Sequence, residues 1–390
     1  VTSTRAARLL LPVIYLGYIS LGLPDGTLGV AWPQAHASLH TEIGMAGPLL
    51  LFVTLLAAIS GFSSGRVIRR FRTGPVVLIS CALTGSGLLL ISRAPSFAWL
   101  FLAALPLGFG AGAVDAGLNG YVARHYTGRH MNWLHACWGI GATCGPLAMA
   151  TALRQPEGWR LGYRVLGSTQ LFLALVFLLT LQLWSLVPER TVAASAEHTP
   201  VGQRPTLPAN SPAGWLSAGI FALYVAIEGT AGLWASSILV ESRGFAPAVA
   251  GLCTSAYYGS ITTGRIAVGF VVDRWGNRRL IAIGTALAVV GAGLFTLAHT
   301  APFAAAALIL LGLGFAPVYP CMMHEVPRRF APEAVQTVIG RQSGASYIGG
   351  ALLPAAAGYL AHVSLESICW VVGLGAILLI AAVRRLDRMT

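Results

Sequence analysis

Gly269-Phe270-Val271-Val272-Asp273-Arg274-Trp275-Gly276-Asn277-Arg278-Arg279 is a short charged passage set between two long apolar ones. Residues 246–271 precede it and residues 279–298 follow it. Each run is near the 20 residues or so that cross the hydrocarbon of a bilayer. The charges between them read as a tight loop at one membrane face. Outward from this loop the alternation continues. The second half of the chain carries spans at 213–240, 246–271, 279–298, 301–323, 334–361 and 365–384. The first half carries spans at 8–32, 43–63, 75–93, 97–122, 130–153 and 163–187. Residues 188–212 hold Pro188, Pro200, Pro205, Pro208 and Pro212 with several charges, so they read as a linker.

Composition agrees with twelve spans. The 390 residues are 56% hydrophobic and only 10% charged, where a soluble domain carries about 25% charged residues. A lipid surround removes the need for a polar surface. The net charge of +12 would point to nucleic acid in a soluble protein, but the positions of the charges exclude that reading. With the N-terminus inside, the cytoplasmic segments hold 18 of the 25 arginines and the outer loops hold five. This is the bias that orients membrane proteins. The chain has no lysine, which reads as codon bias. Its six cysteines lie in or beside apolar runs with no CxxC pair, so no metal is expected. The first apolar run is too long for the core of a signal peptide and is expected to be retained.

The halves repeat. Asp25-Gly26-Thr27-Leu28-Gly29 matches Glu228-Gly229-Thr230-Ala231-Gly232 at an offset of 203. Leu107-Gly108-Phe109-Gly110 matches Leu311-Gly312-Leu313-Gly314 at 204, and Pro146 matches Pro354 at 208. Six spans separate each pair, so both copies have the same orientation. Parallel repeats place a solute path between the halves near the midplane. The expected fold is an all-α membrane protein, with twelve transmembrane helices in two pseudo-symmetric six-helix bundles. The expected domains are 1–187, a cytoplasmic linker at 188–212, and 213–390.

The passage from Gly269 to Arg279 resembles the loop signature of the major facilitator superfamily, which stands between helices 2 and 3 and again between 8 and 9. Gly269 lets two helices approach closely. Asp273 can cap a neighbouring helix or pair with an arginine. The first copy, matched at an offset of 208, runs from Gly61 to Arg70, with Gly65 where the acid is expected. A narrower resemblance is to the fucose:proton symporter branch. It rests on Gly108–Asn119, on Asn132-Trp133-Leu134-His135-Ala136-Cys137-Trp138, on Gly264-Arg265, and on Gly312–Pro320. The resemblance implies transport of a sugar or related polar solute with protons, or with sodium, by alternating access. It also implies a bacterial inner-membrane location, with both termini cytoplasmic, and a monomer in membrane lipid.

Ionisable groups inside a membrane are costly and usually functional. Asp25, Asp115 and Glu228 are the candidates for proton coupling. A carboxylate whose surroundings alternate between wet and dry can load and release a proton. Asp25 and Asp115 also align with the acidic positions that the branch implies, and Asn119 lies one turn from Asp115. Glu228 is the repeat partner of Asp25; it can bind solute, or pair with Arg265 or Arg341. Asn119, Asn132, His135, Trp138, Glu228, Trp234, Tyr257, Tyr258 and Gln342 are the candidates to hold solute hydroxyls and C–H faces. Gly269, Asp273, Arg274 and Arg278 are expected to gate. Arg265 and Arg341 are expected to gate, or to pair with Asp273 or Glu325. For any one aromatic residue, packing or interface anchoring competes with solute contact.

No hydrolase or nucleotide-binding motif appears, and a Walker loop would need the lysine the chain lacks. The chain is therefore expected to be no enzyme, to carry no cofactor, and to draw energy from a gradient. The alternative is a proton-coupled efflux antiporter, since Gly141-x-x-x-Gly145-Pro146 partly resembles the antiporter signature. A transport-dead receptor is a third reading, which the intact helix 8–9 signature opposes.

Overall fold

The computed structural model describes residues 3–25, 27–42, 45–188, 207–361 and 364–390. Most of the expected linker, 189–206, lies outside the described residues. Among those described there are helices and no strands. The first expected span is two helices, α1 (Ser3–Gly22) and α2 (Thr27–Ser38), broken where Pro24 and Asp25 stand. Next come α3 (Ala46–Phe71), α4 (Thr73–Ser92), α5 (Phe97–His125), α6 (Gly128–Ala152), α7 (Gly158–Thr180) and the short α8 (Leu183–Leu186). The second half opens with α9 (Pro212–Ser237), which Ser211 caps by accepting the Gly214 N–H at 3.2 Å. A π-turn over Ile238–Ser242 ends it. Then follow α10 (Pro247–Trp275), α11 (Asn277–Thr296), α12 (Ala301–Phe315), α13 (Val318–Arg329), α14 (Pro332–Ala361) and α15 (Ser367–Met389).

Nine helical stretches among the described residues are long and apolar enough to cross a membrane. The helices α6, α10 and α14 have 25, 29 and 30 residues, which is spanning length, but are more polar. They carry most of the candidate solute-binding side chains. The outer surface is apolar, with Leu179 76% and Leu252 71% exposed. That is the inverse of a soluble protein and suits lipid.

Helices run past the apolar stretches at their arginine-bearing ends. The α3 helix continues to Phe71 although the apolar run stops at Ser63, and α13 continues to Arg329. The physical reason is that a helix needs hydrogen bonds, not hydrocarbon. Its last turns continue among headgroups, where arginine is welcome.

The chain forms two compact units. One comprises Val1–His125 and Leu134–Thr191, the other Tyr126–Trp133 and Val192–Thr390. Each is crossed in the same way. A Cβ on Gly108 would lie 2.6 Å from Leu56 Cβ, and one on Gly312 would lie 2.6 Å from the Tyr257 carbonyl and overlap Ser260. These contacts are related by the same 204 residues. Likewise a Cβ on Gly141 would overlap the Ile19 carbonyl, and one on Gly349 the Ala222 carbonyl. Small residues let helix backbones meet at these crossings, and packing there replaces the hydrophobic drive that lipid removes.

The repeat also corrects the register of the signature loop. The α3 helix ends on Arg72 (φ 66°, ψ 162°), whose N–H bonds Ile68 O at 2.8 Å. The α10 helix ends on Gly276 (φ 80°, ψ 150°), whose N–H bonds Val272 O at 2.8 Å. The two corners are the same corner at an offset of 204, not 208. Gly65 therefore corresponds to Gly269, and the residue facing Asp273 in the repeat is Arg69. The acid is replaced by a base. The sequence match had slipped by one helical turn, because glycine and arginine recur every four residues there.

Candidate transport site

In the first unit, Asp115 is buried on α5, one turn from Asn119. Its Oδ1 accepts Tyr18 Oη from α1 at 2.7 Å and Asn119 Nδ2 at 2.9 Å. Asn119 Nδ2 also lies against Tyr18 Oη. On its other side Asn119 Oδ1 faces His135 Nε2 of α6 at 3.0 Å. With the amide so placed, Oδ1 can only accept, so His135 carries its proton on Nε2. The Tyr18 and His135 rings meet edge to face, 5.2 Å between centroids. Donors thus run from His135 through Asn119 to a carboxylate, tying α1, α5 and α6. Burying a carboxylate is expensive unless donors meet it, and here two do. A second knot, Gln170 of α7, donates to Ser20 O at 2.6 Å and pairs with Ser20 Oγ.

Asp25 lies in the turn between α1 and α2, with its N–H on Gly22 O at 3.0 Å. The break between the two helices leaves this carboxylate exposed. Trp138 Nε1 donates to its Oδ2 at 2.8 Å. Trp138 and His135 therefore serve different carboxylates.

In the second unit Glu228 of α9 pairs with Arg265 of α10 at 3.4 Å, and both side chains are largely buried. Tyr224 Oη donates to Phe315 O at 3.1 Å and Tyr257 Oη to the Glu228 carbonyl at 2.9 Å. Tyr258 is exposed. Trp234 Nε1 donates to Pro354 O at 3.1 Å. Gln342 is fully buried, its Nε2 donating to Ser217 Oγ at 2.6 Å while its Oε1 has no partner among the described residues. Asn132 belongs to this unit, apart from Asn119 and His135. It bonds the Gly128 carbonyl at 2.9 Å.

The arginine-rich end of the second unit holds the gating candidates. A Cβ on Gly269 would overlap the Trp133 indole. Asp273 accepts the Arg129 backbone N–H at 3.4 Å, in the first turn of α6, and pairs with the Arg129 side chain at 3.6 Å. The acid thus both caps a helix and meets an arginine. Arg274 is exposed. Arg278 pairs with buried Glu325 at 3.2 Å, and Arg328 and Arg329 close on the same carboxylate at 3.1 and 3.9 Å. Arg329 also holds Asp387 at 2.6 Å.

Two expectations change. Arg265 pairs with Glu228, not with Asp273 or Glu325. Arg341 is held by Ala209 O at 2.5 Å and Asn210 Oδ1 at 2.6 Å, and stacks 4.3 Å over Trp215. In both cases a nearer partner on α9 or just before it intercepts the guanidinium. Sequence reasoning passed over Tyr18, the direct partner of Asp115. No spacing in the sequence links Tyr18 of α1 to Asp115 of α5, because the two stand on different helices 97 residues apart.

The family model described as Major Facilitator Superfamily matches residues 14–237 and again 215–389. The chain belongs to the major facilitator superfamily. This member is a transporter and not an enzyme. It is 28% identical over 386 residues to the uncharacterized transporter y4wD of Sinorhizobium fredii, covering 95% of this chain and 97% of the relative. Among solved structures its fold is similar to the human organic anion transporter MFSD10 (TM-score 0.75, 16% identity, 97% and 99% of the two chains covered). It is also similar to the fucose:proton symporter FucP of Escherichia coli (TM-score 0.71, 14% identity, 99% of each chain). At such identities these likenesses speak for the fold.

Proposed function

We propose that this superfamily member carries a small polar solute, a sugar or close relative, across a bacterial inner membrane by proton-coupled alternating access. Its termini are cytoplasmic in this reading, in keeping with the arginine bias. The observation that carries the proposal is the buried Asp115 with its Tyr18, Asn119 and His135 partners. As a carboxylate, Asp115 holds Tyr18 and Asn119 in place. A proton on Asp115 removes the charge that attracts both donors, and releases the Asn119 amide and the Tyr18 hydroxyl for solute hydroxyls. Proton binding and solute binding then reinforce one another, which is the thermodynamic content of symport. Exposed Asp25 with Trp138 offers a second carboxylate beside an aromatic face, suited to a sugar ring. Glu228, whose charge Arg265 balances, is assigned to solute contact more readily than to proton loading. The linker at 188–212 joins the two halves that rock.

The test is reconstitution in liposomes with a pH-sensitive dye and a panel of sugars and polyols. One solute should alkalinise the outer medium. Asp115→Asn should abolish proton-driven accumulation of that solute and spare its exchange. Unchanged accumulation in Asp115→Asn would refute the coupling role. Silence across the panel, with proton release on adding lipophilic cations or antibiotics, would turn the reading to efflux.

A further inference from the structure

The two units treat equivalent acids differently. Glu228 of α9 is the repeat partner of Asp25, and Arg265 of α10 balances its charge at 3.4 Å. At the offset of 204 that the helix corners fix, the position of Arg265 is held in the first unit by Gly61 of α3. No other base replaces it. Residues 9–38, 46–65, 73–92, 94–123, 134–153 and 165–187 contain no arginine or lysine. These stretches carry two acids, Asp25 and Asp115. A charge that the second unit neutralises from within is left standing in the first.

The two acids also differ in what meets them. Asp115 is buried among donors of the protein, Tyr18 and Asn119. The exposed Asp25 side chain accepts the Trp138 indole N–H on Oδ2 at 2.8 Å, and its Oδ1 accepts nothing among the described residues. A carboxylate has room for about four such bonds. The pair is held stiffly. A Cβ on Gly22 would overlap the Trp138 carbonyl, one on Gly141 the Ile19 carbonyl, and one on Gly145 the Leu23 carbonyl. The end of α1 therefore lies directly on α6, and the turn that follows sets Asp25 at the edge of the Trp138 ring. An aromatic face beside a carboxylate attracts a cation twice over, through the ring and through the charge. A neutral hydroxyl can use the hydrogen bond, but it leaves the charge of Asp25 unbalanced.

We infer that the solute carries a protonated amino group, which binds Asp25 Oδ1 beside the Trp138 ring and supplies the cation that Arg265 supplies to Glu228. An amino sugar is the class that combines this group with hydroxyls for the polar side chains of the site. A sugar acid is repelled by two acids with no base beside them. The inference rests on the reading of the chain as a carrier of a sugar-like solute, and not on proton coupling.

Calorimetric titration of the full-length protein in detergent near neutral pH tests it. Glucosamine, galactosamine and mannosamine are each compared with the neutral parent sugar and the N-acetyl derivative. At least one amine should bind about tenfold more tightly than both of its partners, the gain expected when a hydrogen bond joins charged groups. In Asp25→Asn that preference should vanish while the unfolding temperature holds, because the amide oxygen can still accept the Trp138 N–H. Trp138→Phe, which keeps an aromatic face, should retain part of the preference, and Trp138→Leu should retain less. Equal binding of amine and neutral partner, no binding of any amine, or a preference that survives in Asp25→Asn would each overturn the inference. Tetraphenylphosphonium bound as tightly as the best amine would overturn the amino-sugar assignment in favour of a lipophilic cation. Binding needs no gradient, so the two readings fail separately. An amine preference with unchanged accumulation in Asp115→Asn would refute the coupling role alone. Proton-driven uptake of a neutral sugar with no amine preference would refute the amine alone.

Discussion

At Asp115 a proton competes with two hydrogen-bond donors, and Asn119 decides how tightly that competition is linked to α6. Its amide is used at both ends, towards Asp115 and towards His135. Replacing Asn119 by Leu leaves the His135 N–H without this acceptor and deprives the buried carboxylate of one donor. A buried polar group so abandoned costs about 1–3 kcal/mol. The unfolding temperature of Asn119→Leu in detergent should fall accordingly, whereas that of Asp115→Asn should fall less, because its amide can still accept from Tyr18. At this scale the sequence disclosed the pair Asp115 and Asn119 from their spacing of four. It did not separate Asn132 from His135, which are three apart on one helix yet belong to different units.

Elements meet where glycine allows it. Gly141→Val would drive a branched side chain into the Ile19 carbonyl of α1. Overpacking of this kind costs about 1–3 kcal/mol. Gly349→Val, its counterpart against Ala222, should cost a similar amount, and Gly293→Val, with open space around it, should cost little. Thermal unfolding of the three variants checks the order. A different tie joins the far ends of α9, α11 and α15. Arg243 donates to Glu366 at 2.7 and 2.9 Å and to the Phe295 and Ala298 carbonyls at 2.7 and 2.9 Å. The Arg243 hydrogen bonds hold the Glu366 carboxyl below its usual range. A depressed folded-state value stabilises above the unfolded value and is lost as pH falls through the folded one. Glu366→Gln should therefore lower the unfolding temperature by a constant amount at neutral pH. The gap should close only in acid, below the ordinary glutamate value of about 4.3.

Across the whole molecule, two units with separate cores and repeated crossings imply two separately specified halves. Co-expression of residues 1–190 and 205–390 as two polypeptides should restore solute uptake in cells where neither alone does. Uptake assays on the three strains check this, and failure would mean that the connection between the halves is itself required. The sequence by itself determined the spans, the repeat and the family. Hydropathy has a fixed length scale set by the bilayer, and arginine bias a fixed sign, so both can be read without coordinates. Only the tertiary structure decided which charges meet. Arg265 finds Glu228, Asp115 finds Tyr18, and Arg69 takes the place of an acid. Partner choice depends on which helix faces turn towards each other, and on a one-turn register that a four-residue repetition of glycine and arginine conceals.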